Sequence, residues 1–358
     1  MRDCVVIGGG PIGLAVGWRA SQRGHSVTVV DAGRPGAWRA AAGMLAPATE
    51  AEFGEEAAVV LGLRSLERYR DFAAELADAS GIDPAYRTAG TIVVARDADE
   101  AAELERLHAF RRGLGLPVER LLPTRARRAE PALAPTVRLA LDVGSDHSID
   151  PRRLVAALAE AVTRAGGELR SGRVTGFDDG GVRLADGERV SARRVVVAAG
   201  AWAGELGLPV RPVKGQVLRL RDPRGPGLIE RAVRTLHAYI VPRADGAYVL
   251  GATVEERGWD LAPTAGGVFE LLRDISEVLP GVLELDLEEV VTGARPGTPD
   301  NLPLLGDVDG VVWAAGHHRN GILLAPVTAD LIAGVLDGEP LPEWAAACDA
   351  RRFVGAAA

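Results

Sequence analysis

Three glycines in the spacing Gly8-x-Gly10-x-x-Gly13 constrain this chain more than any other feature, because of what flanks them. The preceding DCVVIGG is a short run of β-branched apolar residues, PIGLAVGWRASQRG carries apolar residues at helical intervals with a closing glycine, and HSVTVVDA reads as a second strand. Strand, glycine turn, helix and strand make a βαβ unit. Gly8 permits the tight turn, Gly10 lets the backbone approach a pyrophosphate, and Gly13 allows close packing of helix on strand. Pro11 and Ile12 open the helix, whose free amides and partial positive charge favour the same anion. Asp31 ends the second strand and can accept hydrogen bonds from both ribose hydroxyls. A bound dinucleotide is expected. The motif does not separate FAD from NAD, since both carry adenosine, ribose and pyrophosphate.

A chain of 358 residues is about right for two packed modules. With 47% hydrophobic and 25% charged residues it has the composition of a globular protein. The formal net charge of -8 argues against a nucleic-acid partner, which needs an excess of cations. The short basic run Arg125, Arg127, Arg128 is the solvated side of a helix, ended at once by Glu130 and Pro131. Cys4 and Cys348 lie at opposite ends with no metal-ligand spacing, so neither a disulfide framework nor a metal site is expected. The first strand begins within a few residues of Met1, and no apolar run reaches the roughly 18 residues of a membrane span. The expected location is cytoplasmic.

Helical periodicity covers 55–79 and 99–112, with TIVVARD as a strand between them. Asp-Pro opens a helix over 150–165, and short strands punctuated by Gly180-Gly181 and Asp186-Gly187 lead into RRVVVAAGAWA, a doubly buried parallel strand. Residues 209–291 alternate as in an antiparallel sheet, with one helix near 267–279. VVWAAG and a helix from about Gly321 to Leu336 restore the α/β pattern. The expected architecture is α/β: a discontinuous Rossmann-like cofactor domain of the glutathione-reductase type (1–50, 150–208 and 293–345), and a capping or substrate domain (51–149 and 209–292) built on an antiparallel sheet plus helices.

The blocks RAAAGMLAP (39–47), VVVAAGAWAG (195–204), PVKGQ (212–216), YIVPR (239–243), GARPGTPDNLPLLG (293–306) and AAGHHRNGILLAP (314–326) together resemble the D-amino-acid-oxidase-like flavoproteins. Within that group the likeness is greatest to the glycine oxidases of thiazole and thiamine biosynthesis. The blocks span nearly the whole chain in the family's order. The resemblance implies FAD held without a covalent bond, with Pro11, Ile12, Asp31, Ala32, Ala42, Gly43, Met44 and Val174 at cofactor-contacting positions. It also places the segment His317, His318, Arg319, Asn320, Gly321, Ile322, Leu323 around the flavin ring. Two departures stand out. Trp38 and Arg39 replace the small hydroxyl residues usual before AAAGM, and His318 stands where Phe or Tyr is usual.

Flavin oxidation of an amino acid moves a hydride from its α-carbon, so the site must position its substrate and has no need of a nucleophile. Arg295, in a Gly-Ala-Arg-Pro-Gly turn, is the first candidate for a bidentate carboxylate clamp. The resemblance adds the Tyr239 hydroxyl as a donor to the same carboxylate and Arg319 as a second residue on the substrate side. His317 and His318 are read as packing and hydrogen-bonding residues whose backbone meets the flavin. A helix starting near Gly321 would aim its amides at the pyrimidine edge of the ring. The implied reaction takes glycine, or another small amine such as sarcosine or D-alanine, to the imine or glyoxylate with O2 reduced to hydrogen peroxide. Relatives suggest a homotetramer. The alternatives are a sarcosine or D-amino-acid oxidase, a dehydrogenase passing electrons to another carrier, and a non-catalytic dinucleotide-binding module.

Overall fold

A computed structural model of the chain describes residues 1–353 except 179 and 226. The helices in chain order are α1 (Pro11–Gln22), α2 (Glu56–Ser80), α3 (Ala98–Gly113), α4 (Pro123–Ala129), α5 (Pro151–Arg164), α6 (Ala265–Ser276) and α7 (Ala325–Leu336). Local chemistry explains several boundaries. Pro11 sits in the first turn of α1, where its missing N–H is harmless. Asp97, Asp150 and Thr264 cap α3, α5 and α6, each side chain accepting from free amides of the first turn.

Two sheets organise the molecule. The first runs Leu304–Val308, Val311–Ala315, Arg189–Val197, Arg2–Ile7, Val27–Asp31, Glu168–Ser171 in spatial order. All its central pairings are parallel; the edge strand Leu304–Val308 runs antiparallel to its neighbour, and Gly181–Leu184 with Val174–Asp178 adds an antiparallel branch on Arg189–Val197. Helices α1, α5 and α7 cover one face, contributing to one apolar cluster that includes Val6, Leu14, Trp18, Leu158 and Ile332. This is a Rossmann-like dinucleotide fold with its helices on one face and an antiparallel strand branch on the other, and its carboxyl edge faces the second sheet.

The second sheet runs Asp286–Gly297, Arg211–Arg221, Ala247–Gly251, Tyr239–Pro242, Ala232–Arg234, Thr91–Ala95, Leu139–Val143, Glu119–Leu121. Every pairing in it is antiparallel except Ala232–Arg234 with Thr91–Ala95. Helix α2 falls in the span read as capping domain, yet its Leu61, Tyr69, Phe72 and Leu76 join the apolar cluster of α1, α5 and α7. The Tyr69 and Ser65 hydroxyls donate to the carbonyls of Ile322 and Leu323 at 2.8 and 2.6 Å, which ties α2 to the segment leading into α7. That segment departs from the sequence expectation: residues 321–324 form turns, and α7 begins at Ala325 rather than near Gly321. Leu324 N–H still reaches the Asn320 carbonyl at 2.8 Å, so the turns merge into the helix without a break. Among the described residues no helix is long and apolar enough to cross a membrane.

Candidate active site

A cavity of about 620 Å³ runs from the glycine turn to the face of the second sheet. Glycines 8 to 10 form its floor at one end. A methyl group on Gly13 would lie 1.9 Å from the Gly8 carbonyl oxygen, so this glycine serves helix-on-strand packing and does not line the cavity. Gly10 differs. A methyl there would meet nothing nearer than Trp38 Cδ1 at 3.8 Å, which leaves the space above it open for a ligand. Asp31 accepts from the Gly9 and Gly33 amides at 2.6 and 2.7 Å, which holds its carboxylate at the lip of the cavity. Ala32, Arg34 and, across the cleft, Val174 line the same end.

The middle is walled by residues 36–44. Gly43 takes a left-handed φ of +74°, and any side chain there would strike the Ile149 carbonyl at 2.0 Å. The Arg243 guanidinium, 7% exposed, donates to the Ala42 carbonyl at 2.5 Å and so straps this wall to the second sheet. The unusual Trp38 lies beside Gly10 with the Arg39 guanidinium 5.3 Å from its ring centre. This stacked pair replaces hydroxyl donors with a flat apolar surface and a cation.

Opposite stands the turn of residues 316–322. His317, 3% exposed, hydrogen-bonds Thr328 through Nε2 at 3.0 Å, and burial pushes its pKa down to about 3. His318 has φ +43° and donates its N–H to the Pro296 carbonyl at 3.0 Å; burial first, then the Arg319 and Arg295 charges, push its imidazole down to about 4. Both rings are neutral at pH 7. The backbone of Gly321 and Ile322 also lines the cavity. Asn320 and Leu323 do not: Asn320 N–H closes the turn on the His317 carbonyl, and Leu323 is buried among the helices.

At the far end the three candidates separate. Arg295 projects from Asp286–Gly297, and its Nη1 donates to the backbone carbonyls of Lys214 and Thr253 at 3.2 and 3.0 Å. Among the described residues no carboxylate pairs with it, so Nε and Nη2 remain free to grip an anion. Tyr239 projects beside it from Tyr239–Pro242 and makes no hydrogen bond through its hydroxyl among the described residues. Burial raises that hydroxyl's pKa, with the Arg295 charge opposing, so it stays protonated and able to donate. Arg319 is different in kind. Its guanidinium is held by Glu55 at 2.5 Å and Glu50 at 3.8 Å, and Arg234 shares Glu50 at 3.1 Å. Its charge is already answered. Arg319 and Arg234 pin the 50–55 segment that forms the outer wall, a role the sequence did not suggest for either.

Six arginines face four carboxylates around this cavity, on a chain whose net charge is -8. Local charge runs against global charge, as an anion site requires. An open glycine cradle at a helix N-terminus, a carboxylate at the second strand and a long cationic cavity closed by an antiparallel sheet define a flavin-dinucleotide oxidoreductase. Residues 3–335 match the family of FAD dependent oxidoreductases, and the chain belongs to it. Its cofactor is FAD. The glycine oxidase of Geobacillus kaustophilus (strain HTA426) is 35% identical over 352 residues, covering 94% of this chain and 93% of that protein. A crystal structure of glycine oxidase from Geobacillus kaustophilus superposes with a TM-score of 0.92 at 34% identity, covering 99% of each chain. The bifunctional protein ThiO/ThiG of Trichormus variabilis (strain ATCC 29413 / PCC 7937) is 36% identical over 93% of this chain, which spans 52% of that protein.

Proposed function

We propose that this enzyme oxidises the amine of a small amino acid, glycine before others, and passes the electrons to O2 to give hydrogen peroxide. The observation that carries the reading is the unpaired Arg295 guanidinium beside the unpartnered Tyr239 hydroxyl at the closed end of the cavity. Nε and Nη2 present two parallel donors, the geometry that suits a carboxylate. Tyr239 adds a third donor from the neighbouring strand. Anchored in this way, a substrate has its α-carbon turned toward the cofactor end of the cavity. Bound FAD supplies the acceptor for the hydride that leaves that carbon. The amine lone pair then forms the C=N bond, giving an iminium that loses a proton to the imine or adds water on the way to glyoxylate. The neutral His317 and His318 carry no charge that competes for the substrate carboxylate. Similarity to glycine oxidases, and to a bifunctional ThiO/ThiG protein, supports a supply of glycine imine to thiazole assembly.

Oxygen uptake by the purified yellow protein, run against glycine, sarcosine, D-alanine and D-proline, tests this. Glycine should give the highest kcat/KM with one peroxide per O2. Sarcosine or D-proline turned over tenfold faster would remove glycine as the preferred substrate, and a flavin bleached by glycine that stays bleached in air would remove the oxidase reading. One methyl group in a pocket is worth only about 1–3 kcal/mol, so the profiles should overlap.

A further inference from the structure

From the packing beneath the clamp, we infer that Gly215 and Gly251 are positioning residues: two side chains missing from the second sheet form the seat in which Arg295 and Tyr239 lie. This rests on the reading of Arg295 as the carboxylate clamp. Gly215 lies in Arg211–Arg221, directly opposite Gly293 on the strand that carries Arg295. A methyl group on Gly215 would fall 2.4 Å from Arg295 Nη1, 2.5 Å from Nη2 and 2.6 Å from Cζ. The guanidinium therefore rests flat on the backbone of Gly215, and its Nη1 reaches a carbonyl on either side, Lys214 and Thr253. Gly251 is the cross-strand partner of Tyr239, and a methyl on it would fall 2.7 Å from the Tyr239 hydroxyl. A glycine inside a strand weakens it, so its presence points to close approach by another group. Here that group is the enzyme's own anchor.

The strand cannot retreat to make room. Lys214 and Gln216, on either side of Gly215, are fully buried, and alternation sends their side chains to the opposite face. Lys214 Nζ donates to the Ala262 carbonyl at 2.7 Å and pairs with Glu255 at 3.3 Å; Gln216 Nε2 donates to Glu255 at 2.6 Å and to Thr264 at 3.0 Å. Buried polar groups with their partners in place resist displacement. A side chain on Gly215 would therefore move the flexible end of Arg295 and spare the sheet. At Gly251, Val217 Cγ1 stands 2.9 Å away as well, so substitution there disturbs more than the anchor.

Gly215→Ala is the direct test, read by flavin content, melting temperature, glycine kinetics and acetate titration of the flavin spectrum, acetate being a carboxylate without an amine. The seat predicts a KM for glycine and a Kd for acetate both raised at least tenfold, with flavin content and melting temperature unchanged. In an Arg295→Lys background, where the guanidinium is gone, adding Gly215→Ala should change kcat/KM by less than threefold. A second tenfold loss there, or a single variant within threefold of the parent, overturns the inference. So does a Gly215→Ala chain that fails to fold, since only a flexible side-chain end stands in the methyl's way. Gly251→Ala, read by the same four measurements, gives an independent check: unchanged acetate and glycine binding would overturn its part in the seat. Arg295→Ala is run alongside. If it leaves acetate binding untouched, the clamp reading itself fails; if it weakens acetate while Gly215→Ala does not, only the seat fails.

Discussion

At one end of the cavity a methyl group placed on Gly10 would meet nothing closer than 3.8 Å, whereas at the other end a methyl on Gly215 would lie 2.4 Å from Arg295. Both glycines face the same cavity, and both clear space beside it. The space above Gly10 belongs to a ligand. The space above Gly215 is filled by the protein. Under the proposed function, the contrast separates recognition of the cofactor, by bare backbone at a helix N-terminus, from recognition of the substrate, by long side chains that a sheet must hold still. Residues that only pack should respond to change differently from residues that bind, and that difference can be tested.

The largest effect is expected at Gly13, where an added methyl would meet the Gly8 carbonyl oxygen at 1.9 Å and Ala198 Cβ at 3.3 Å. Neither neighbour is a flexible side-chain end, so Gly13→Ala should force helix and strand apart and release the flavin, which abolishes turnover altogether. Gly10→Ala should keep the fold and only loosen FAD. Flavin absorbance per chain and thermal unfolding distinguish them; a yellow Gly13→Ala protein of unchanged melting temperature would contradict the packing role.

Next comes Arg295. Removing one partner of a desolvated ion pair costs about 2 to 5 kcal/mol, and about 1.4 kcal/mol is a factor of ten. Arg295→Ala should lose roughly 30-fold to several thousandfold in kcat/KM for glycine with FAD still bound. Arg295→Lys should recover part of it, because an ammonium cannot present two parallel donors. A loss below about threefold would show that the clamp lies elsewhere.

Arg319 should behave unlike its neighbour in the cavity. Its charge is met by Glu55 and Glu50, all three partly exposed, so Arg319→Ala should loosen the 50–55 wall and lower stability by about 1–3 kcal/mol. Its effect on glycine KM should stay under tenfold. A KM rise matching that of Arg295→Ala would restore Arg319 as a substrate residue.

How much of this was readable beforehand differs between the two ends. The cofactor end announces itself locally: strand, three glycines, helix and Asp31 fall within one stretch of sequence, and each has a backbone reason to be there. The parallel sheet and its return through 304–315 follow from apolar runs and short connections, whereas residues 293–297, expected as a turn opening that return, pair as a strand of the second sheet. The substrate end depends on register. That Arg295 lies over Gly215 follows from a pairing between strands far apart in sequence, and that Tyr239 faces Gly251 follows from the register of a hairpin; alternation alone leaves both open. Glycine inside the strand block PVKGQ was a usable signal of close approach, though it did not say what approaches. The partners of Arg319 were hidden for a different reason. Glu50 and Glu55 lie more than 260 residues away in sequence, and a charged residue in a loop has no periodic pattern to betray its partner. The late start of α7 has a local cause: residues 321–324 form turns, two of which, Gly321 and Ile322, line the cavity, and Pro326 fits only the first turn of a helix.

The smallest predicted effect concerns a buried acid away from the substrate. Asp146 is fully buried, accepts from the Thr49 hydroxyl, and has no partner for Oδ1 among the described residues. Burial pushes its carboxyl from an ordinary 3.8 up to about 7, against the hydrogen bonds from Thr49 and Thr91. Between those two values the folded chain holds a proton that the unfolded chain has released. The stability this contributes is complete below 3.8 and is lost as pH rises through 7. His317 works the other way. Its ordinary 6.5 falls to about 3, so the unfolded chain binds the proton first, and stability present above 6.5 is lost as pH falls toward 3. Asp146→Asn removes the first trend and keeps the second. Relative to the parent, its melting temperature should therefore climb between pH 5 and 7, by at most the equivalent of about 1.4 kcal/mol per pH unit for one proton. Melting curves that stay parallel across that range would show that Asp146 does not hold its proton in the folded chain.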